Sequence, residues 1–121
     1  MPGTPQPIIT TAFMMTNLNW NKEFALEQAA DDADLLRELL ELFKASCAND
    51  LGLIKSGLAR HDPEQIRAAA HSIKGAASSL GIQGIRDLAL AIETEARTNR
   101  LHAIHDHYPE LEALTKELQS L

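Results

Sequence analysis

With 121 residues and 13.3 kDa, of which 45% are hydrophobic, the chain has material for one domain around one core and none for a second. Aromatic residues make up only 4%, Leu and Ala recur throughout, and no long Val, Ile or Thr run occurs, which predicts an all-α fold. Seventeen acidic residues against eleven basic ones give a net charge of -6, the wrong sign for affinity drawn from nucleic-acid phosphates, so no nucleic-acid partner is expected.

Residues 1–18 carry Pro2, Gly3, Pro5 and Pro7, then Ile8, Ile9, Phe13, Met14 and Met15 without sustained helical spacing. They read as an extended or partly ordered lead-in, with the bundle domain beginning at residue 19. The stretch lacks a basic n-region, and Thr10 and Thr11 interrupt its apolar run, so no secretory signal is expected. No window approaches the roughly 18 consecutive apolar residues of a membrane helix. The single cysteine, Cys47, falls on an apolar stripe and cannot form an internal disulfide, which suits a reducing cytoplasm.

Trp20, Phe24 and Leu26 mark a short helix near 21–29, and Asp31 and Asp32 supply start chemistry for a longer one. From about Asp32 to Arg60, apolar residues at 36, 40, 43, 47, 51, 54 and 58 recur every three or four positions, the pattern of one long amphipathic helix. Gly52 and Gly57 each cost it roughly 1 kcal/mol relative to Ala and mark a bend or a close helix approach. Asp62 and Pro63 open a third helix, with Gln65 completing a capping-box-like pair, and it runs to about Leu80. Gly81 stands where a left-handed residue commonly ends a helix. A fourth helix uses Ile85, Leu88, Ala89, Ile92 and Ala96 and ends near Asn99 and Arg100; a fifth uses Ile104, Tyr108, Leu111, Leu114, Leu118 and Leu121. Pro109 predicts a kink in the last helix or a late start. Short connections between the four main helices imply an antiparallel up-down-up-down bundle with a short extra N-terminal helix, and a closed bundle implies a monomer.

On the third helix, Ile66, Ala70, Ile73, Ala77 and Leu80 define the buried stripe. Advancing roughly 100° per residue places His71 about 140° from its middle, Gly75 about 180°, Ser78 about 120°, Arg67 about 100° and Lys74 about 80°. His71 therefore faces solvent, with Lys74 and Gly75 one turn away. A phosphoryl group on an imidazole brings roughly two negative charges, which Lys74 can partly neutralise. Gly75 lies opposite the core, where packing gives no reason for a glycine, and it removes the side chain that would obstruct an approaching phosphodonor. Ala76 and Ser79 keep the face low for docking another protein, with Arg67 and Ser78 as further docking candidates.

The run His71-Ser72-Ile73-Lys74-Gly75, followed by Leu80 and Gly81, resembles the signature of histidine phosphotransfer (HPt) domains. A His, a Lys three residues on, a Gly four on and a Gly ten on recur there in this order. Trp20 to Phe43 is similar to that family's N-terminal part, and Leu88, Ile92 and Glu93 resemble its next helix; the resemblance spans about residues 18–120. It implies phosphorylation of His71 on its outer ring nitrogen, with response-regulator receiver domains and a hybrid or sensor histidine kinase as partners. It also implies no enzyme activity of its own and no cofactor on this chain: the receiver supplies the aspartate and the Mg²⁺. The other reading is a pseudo-HPt scaffold that docks receivers without accepting phosphate. Dimerising sensor-kinase domains differ, since they carry an acidic residue directly after the His and a Pro soon after it, whereas Ser72 follows here and no ATP-binding segment exists. His102, His105 and His107 cluster without a Cys to complete a ligand set, and no metal site is expected.

Overall fold

The computed structural model describes residues 17–121, and among them there are five helices and no strand. They are α1 (Lys22–Gln28), α2 (Ala33–Ala59), α3 (Pro63–Ser79), α4 (Gln83–Arg97) and α5 (Leu101–Gln119). Helices α2 to α5 pack in a ring, each against its neighbours in sequence and α5 back against α2. That is the antiparallel four-helix bundle the apolar spacing predicts, with α1 resting against α2.

Local chemistry fixes the starts. The Asn21 side chain accepts from the Phe24 amide at 3.0 Å, Asp32 from Asp34 and Leu35 at 3.0 and 3.1 Å, and Asp62 from Gln65 at 3.1 Å. Gln65 does not close a capping box. Its side-chain amide instead donates across the turn to the Leu53 carbonyl and the Ser56 hydroxyl of α2, at 3.0 and 2.8 Å. A Cβ on Gly57 would stand 2.7 Å from Ile66 Cγ1, so this glycine marks the close approach of α2 and α3, while Gly52 faces open space.

Helix α5 starts at Leu101 and runs through Pro109 without a break, so it does not start late. The missing amide costs about 3 kcal/mol. Burial of Ile104 on one side of the proline and of Leu111, Leu114 and Leu118 on the other, each contributing about 1.5–3 kcal/mol, exceeds that.

Of the lead-in expected over residues 1–18, residues 1–16 lie outside the described residues. Leu18 is buried in the core, and the strand-like stretch after it clips onto the α3–α4 turn. The Asn21 amide donates to the Gly81 carbonyl at 2.8 Å, the Gln83 amide to Asn19 at 3.2 Å, and the Trp20 indole N–H to the Leu80 carbonyl at 2.9 Å. Gly81 adopts φ +70, the left-handed turn anticipated from its place after Leu80. Gly84 follows for a different reason: a Cβ there would collide with the Asn17 carbonyl. No helix among the described residues is long and apolar enough to cross a membrane.

Candidate functional site

Ile66, Ala70, Ile73, Ala77 and Leu80 are all buried, so α3 is oriented as its periodicity requires. The opposite side of the helix presents His71, whose side chain is 60% exposed. Gly75 is exposed one turn further on, and a Cβ added there meets nothing within 4 Å. Gly75→Ala is thus expected to stabilise α3 by up to about 1 kcal/mol through helix propensity alone. A long side chain such as Gln at this position should slow the phosphoryl transfer to His71 that the family resemblance implies, so stability from urea titration and transfer rate should move in opposite directions. Equal rates for wild type and Gly75→Gln would remove the access argument.

His71 does not stand alone. Its Nδ1 lies 2.9 Å from Oε2 of Glu93, a residue of α4 whose side chain is wholly buried. The same Oε2 accepts from Arg97 Nη2 at 2.9 Å, and Lys74 Nζ is 2.8 Å from Oε1. The Lys74 ammonium is the partner of Oε1, while His71 and Arg97 both sit on Oε2. Burial pushes the Glu93 carboxyl toward its neutral form, but Lys74, His71 and Arg97 together outweigh this and hold its pKa below the usual carboxylate range.

An ionised carboxylate can only accept. The His71 Nδ1 therefore carries a proton and donates it in the hydrogen bond, and in the neutral ring the lone pair is then on Nε2, on the solvent side. Three chemical properties follow: a fixed tautomer, a fixed ring orientation, and a nucleophilic nitrogen facing an unobstructed helix surface.

Among the residues singled out from sequence, Glu93 joins His71 and Lys74 into one network. Arg67 and Ser78 are not hydrogen-bonded to it. The Arg67 guanidinium forks onto Glu64, at 3.0 Å through Nε and 2.6 Å through Nη2, and the Ser78 hydroxyl donates to the Lys74 carbonyl at 2.8 Å. Gly81 serves the turn and lies away from the imidazole. The role of Glu93 as hub and the presence of Arg97 were not anticipated. Their four-residue spacing on the flank of the α4 stripe is the signal that was available. Of the histidine cluster on α5, His107 pairs with Glu95 of α4 at 2.8 Å, which raises its pKa, while His102 and His105 are exposed. No group of metal-ligating side chains occurs among the described residues.

The Hpt domain family model matches residues 38–121. The chemotaxis protein CheA of Rhizobium meliloti is 34% identical over a stretch covering 59% of this chain and 11% of CheA, so the chain spans about a tenth of that relative's length. In fold, it is similar to the histidine-containing phosphotransfer protein B of Pseudomonas aeruginosa, with a TM-score of 0.76 at 20% identity over 82% of this chain and 86% of the other. By its helical bundle and its match across most of its length, the chain belongs to the Hpt domain family, the phosphotransfer modules of two-component signalling.

Proposed function

We propose that this chain accepts and donates a phosphoryl group on Nε2 of His71, in exchange with the aspartates of response-regulator receiver domains. The observation that carries the reading is the His71–Glu93 hydrogen bond, which selects the neutral tautomer with its lone pair on Nε2, beside the bare Gly75 surface.

In the forward step the Nε2 lone pair attacks the phosphorus of a receiver aspartyl phosphate. The N–P bond forms, the P–O bond to the aspartate breaks, and its electron pair leaves as the free carboxylate. The ring acquires positive charge, and the Nδ1–H hydrogen bond to ionised Glu93 stabilises it. Return transfer reverses each event. No proton has to leave Nε2, so no further base is needed on this chain. Lys74, held one turn from His71, adds a favourable field for the doubly charged phosphoryl group. The receiver brings the aspartate and the Mg²⁺, and a hybrid or sensor histidine kinase supplies the phosphoryl group upstream, in the cytoplasm.

An apolar groove lined by Leu39, Leu42, Phe43, Ala76, Ser79 and Leu80 runs beside Gly75, with Leu42 68% exposed. Together with the low Ala76–Ser79 surface it suits docking of a receiver as a monomeric carrier. A scaffold that merely docks receivers would gain nothing from a buried carboxylate oriented on the imidazole.

Phosphotransfer profiling against receivers of the same genome, each charged with labelled phosphate, tests this. Rapid appearance of acid-labile, base-stable label on this chain is expected from at least one of them. Label that leaves the receivers only as inorganic phosphate, with none on this chain, would contradict it.

A further inference from the structure

We infer that Arg97 is the group that closes directly on the phosphoryl group of phosphorylated His71, while Lys74 stays behind as the fixed counter-ion of buried Glu93. The inference rests on the proposed phosphorylation of His71 and adds the residue that would bind its product.

Three cations flank the imidazole, and their existing partners differ in how easily they can be released. Arg67 is forked onto Glu64 by two hydrogen bonds. Lys74 is only 27% exposed and pairs at 2.8 Å with Glu93 Oε1, the oxygen that His71 and Arg97 do not contact. Withdrawing it would strip that buried oxygen of its compensating charge, a costly change for a wholly buried carboxylate. Arg97 is the contrary case. It spends one nitrogen on Oε2, which keeps the His71 N–H as a partner when the guanidinium leaves, and its side chain is 56% exposed.

Arg97 is also close enough. His71 Nδ1 and Arg97 Nη2 each lie 2.9 Å from the same oxygen, so they are within twice that distance of one another. A guanidinium has five donors in a planar fork suited to two phosphoryl oxygens. Nε2 lies across the ring from Nδ1, so the Arg97 side chain, 56% exposed, has to swing off Glu93 and extend along the imidazole to meet phosphoryl oxygens there. Before phosphorylation Arg97 helps neutralise Glu93; afterwards it can turn to the new dianion while Lys74 and the charged Nδ1–H continue to compensate the carboxylate.

The test is the His-to-Asp transfer equilibrium, measured with purified full chain and receiver for wild type, Arg97→Ala, Arg97→Lys and Lys74→Ala, together with melting temperatures. Arg97→Ala should shift the equilibrium toward the receiver by about fivefold at low salt, less at high salt, with melting close to wild type. Arg97→Lys should recover part of the shift, and Lys74→Ala should lower the melting temperature more than Arg97→Ala does. An equilibrium unchanged in Arg97→Ala, or a shift that is the same at every salt concentration, would overturn the inference. Failure of the wild type to accept label would instead remove the phosphorylation reading on which it rests.

Discussion

His71→Gln is expected to abolish phosphoryl acceptance completely while leaving the fold in place. The side chain is 60% exposed, and its polar contact with the bundle is the Nδ1–H hydrogen bond to Glu93. The Gln amide can offer a donor in the same direction, and Lys74 and Arg97 continue to neutralise the buried carboxylate. Stability should therefore change by less than about 1 kcal/mol, the range of surface substitutions. Transfer, by contrast, has no substitute nucleophile. His61, His102 and His105 are exposed without the Glu93 hydrogen bond, and His107 is turned to Glu95. Incubation with a charged receiver, followed by gel autoradiography and thermal melting of the same preparation, checks both halves. Undiminished label on His71→Gln would show that another residue is the acceptor.

The largest expected loss of stability comes from the turn rather than from the site. Gly81→Ala places a Cβ 2.8 Å from the Asn21 carbonyl oxygen and 3.1 Å from Phe24 Cδ2, at a residue whose φ is +70. A left-handed non-glycine residue costs about 1–3 kcal/mol, and crowding a packed contact adds about 1–3 kcal/mol. Relief by movement is blocked, because the Gly81 carbonyl accepts from the Asn21 amide and the neighbouring Leu80 carbonyl from the Trp20 indole. Unfolding in urea should show a loss of about 2–6 kcal/mol. Transfer by the folded fraction should persist, since His71 lies well up α3 from this turn. An unchanged unfolding midpoint would mean that the N-terminal clip does not hold the turn as described.

The bundle was legible because its helices are amphipathic and its turns carry residues with specific backbone demands. The stripe from Ile66 to Leu80 sets the exposure of His71, and the place of Gly81 after Leu80 implies a left-handed turn. Features that depend on two distant segments meeting were not legible. Nothing in the periodicity of α4 says that Glu93 turns to α3 and takes three partners there and on its own helix. A carboxylate beside an apolar stripe ordinarily reads as a solvated flank. Lys74 likewise reads as a free cation until its ion pair with Glu93 is seen. Gln65 and Gly84 follow the same logic, the first bonding back to α2 and the second making room for Asn17. The late start that Pro109 offered does not occur for an energetic reason, because local propensity is weaker than the burial of residues on either side of it.

In the proposed mechanism Glu93 holds the Nδ1 proton so that Nε2 of His71 receives the phosphoryl group. Phosphorus–proton NMR correlation on the phosphorylated chain, with its histidines isotopically labelled and assigned, addresses this directly. One phosphohistidine is expected, at His71, with phosphorus bonded to Nε2 and the proton retained on Nδ1. Phosphorus bonded to Nδ1 of His71, or to any other histidine, would contradict it.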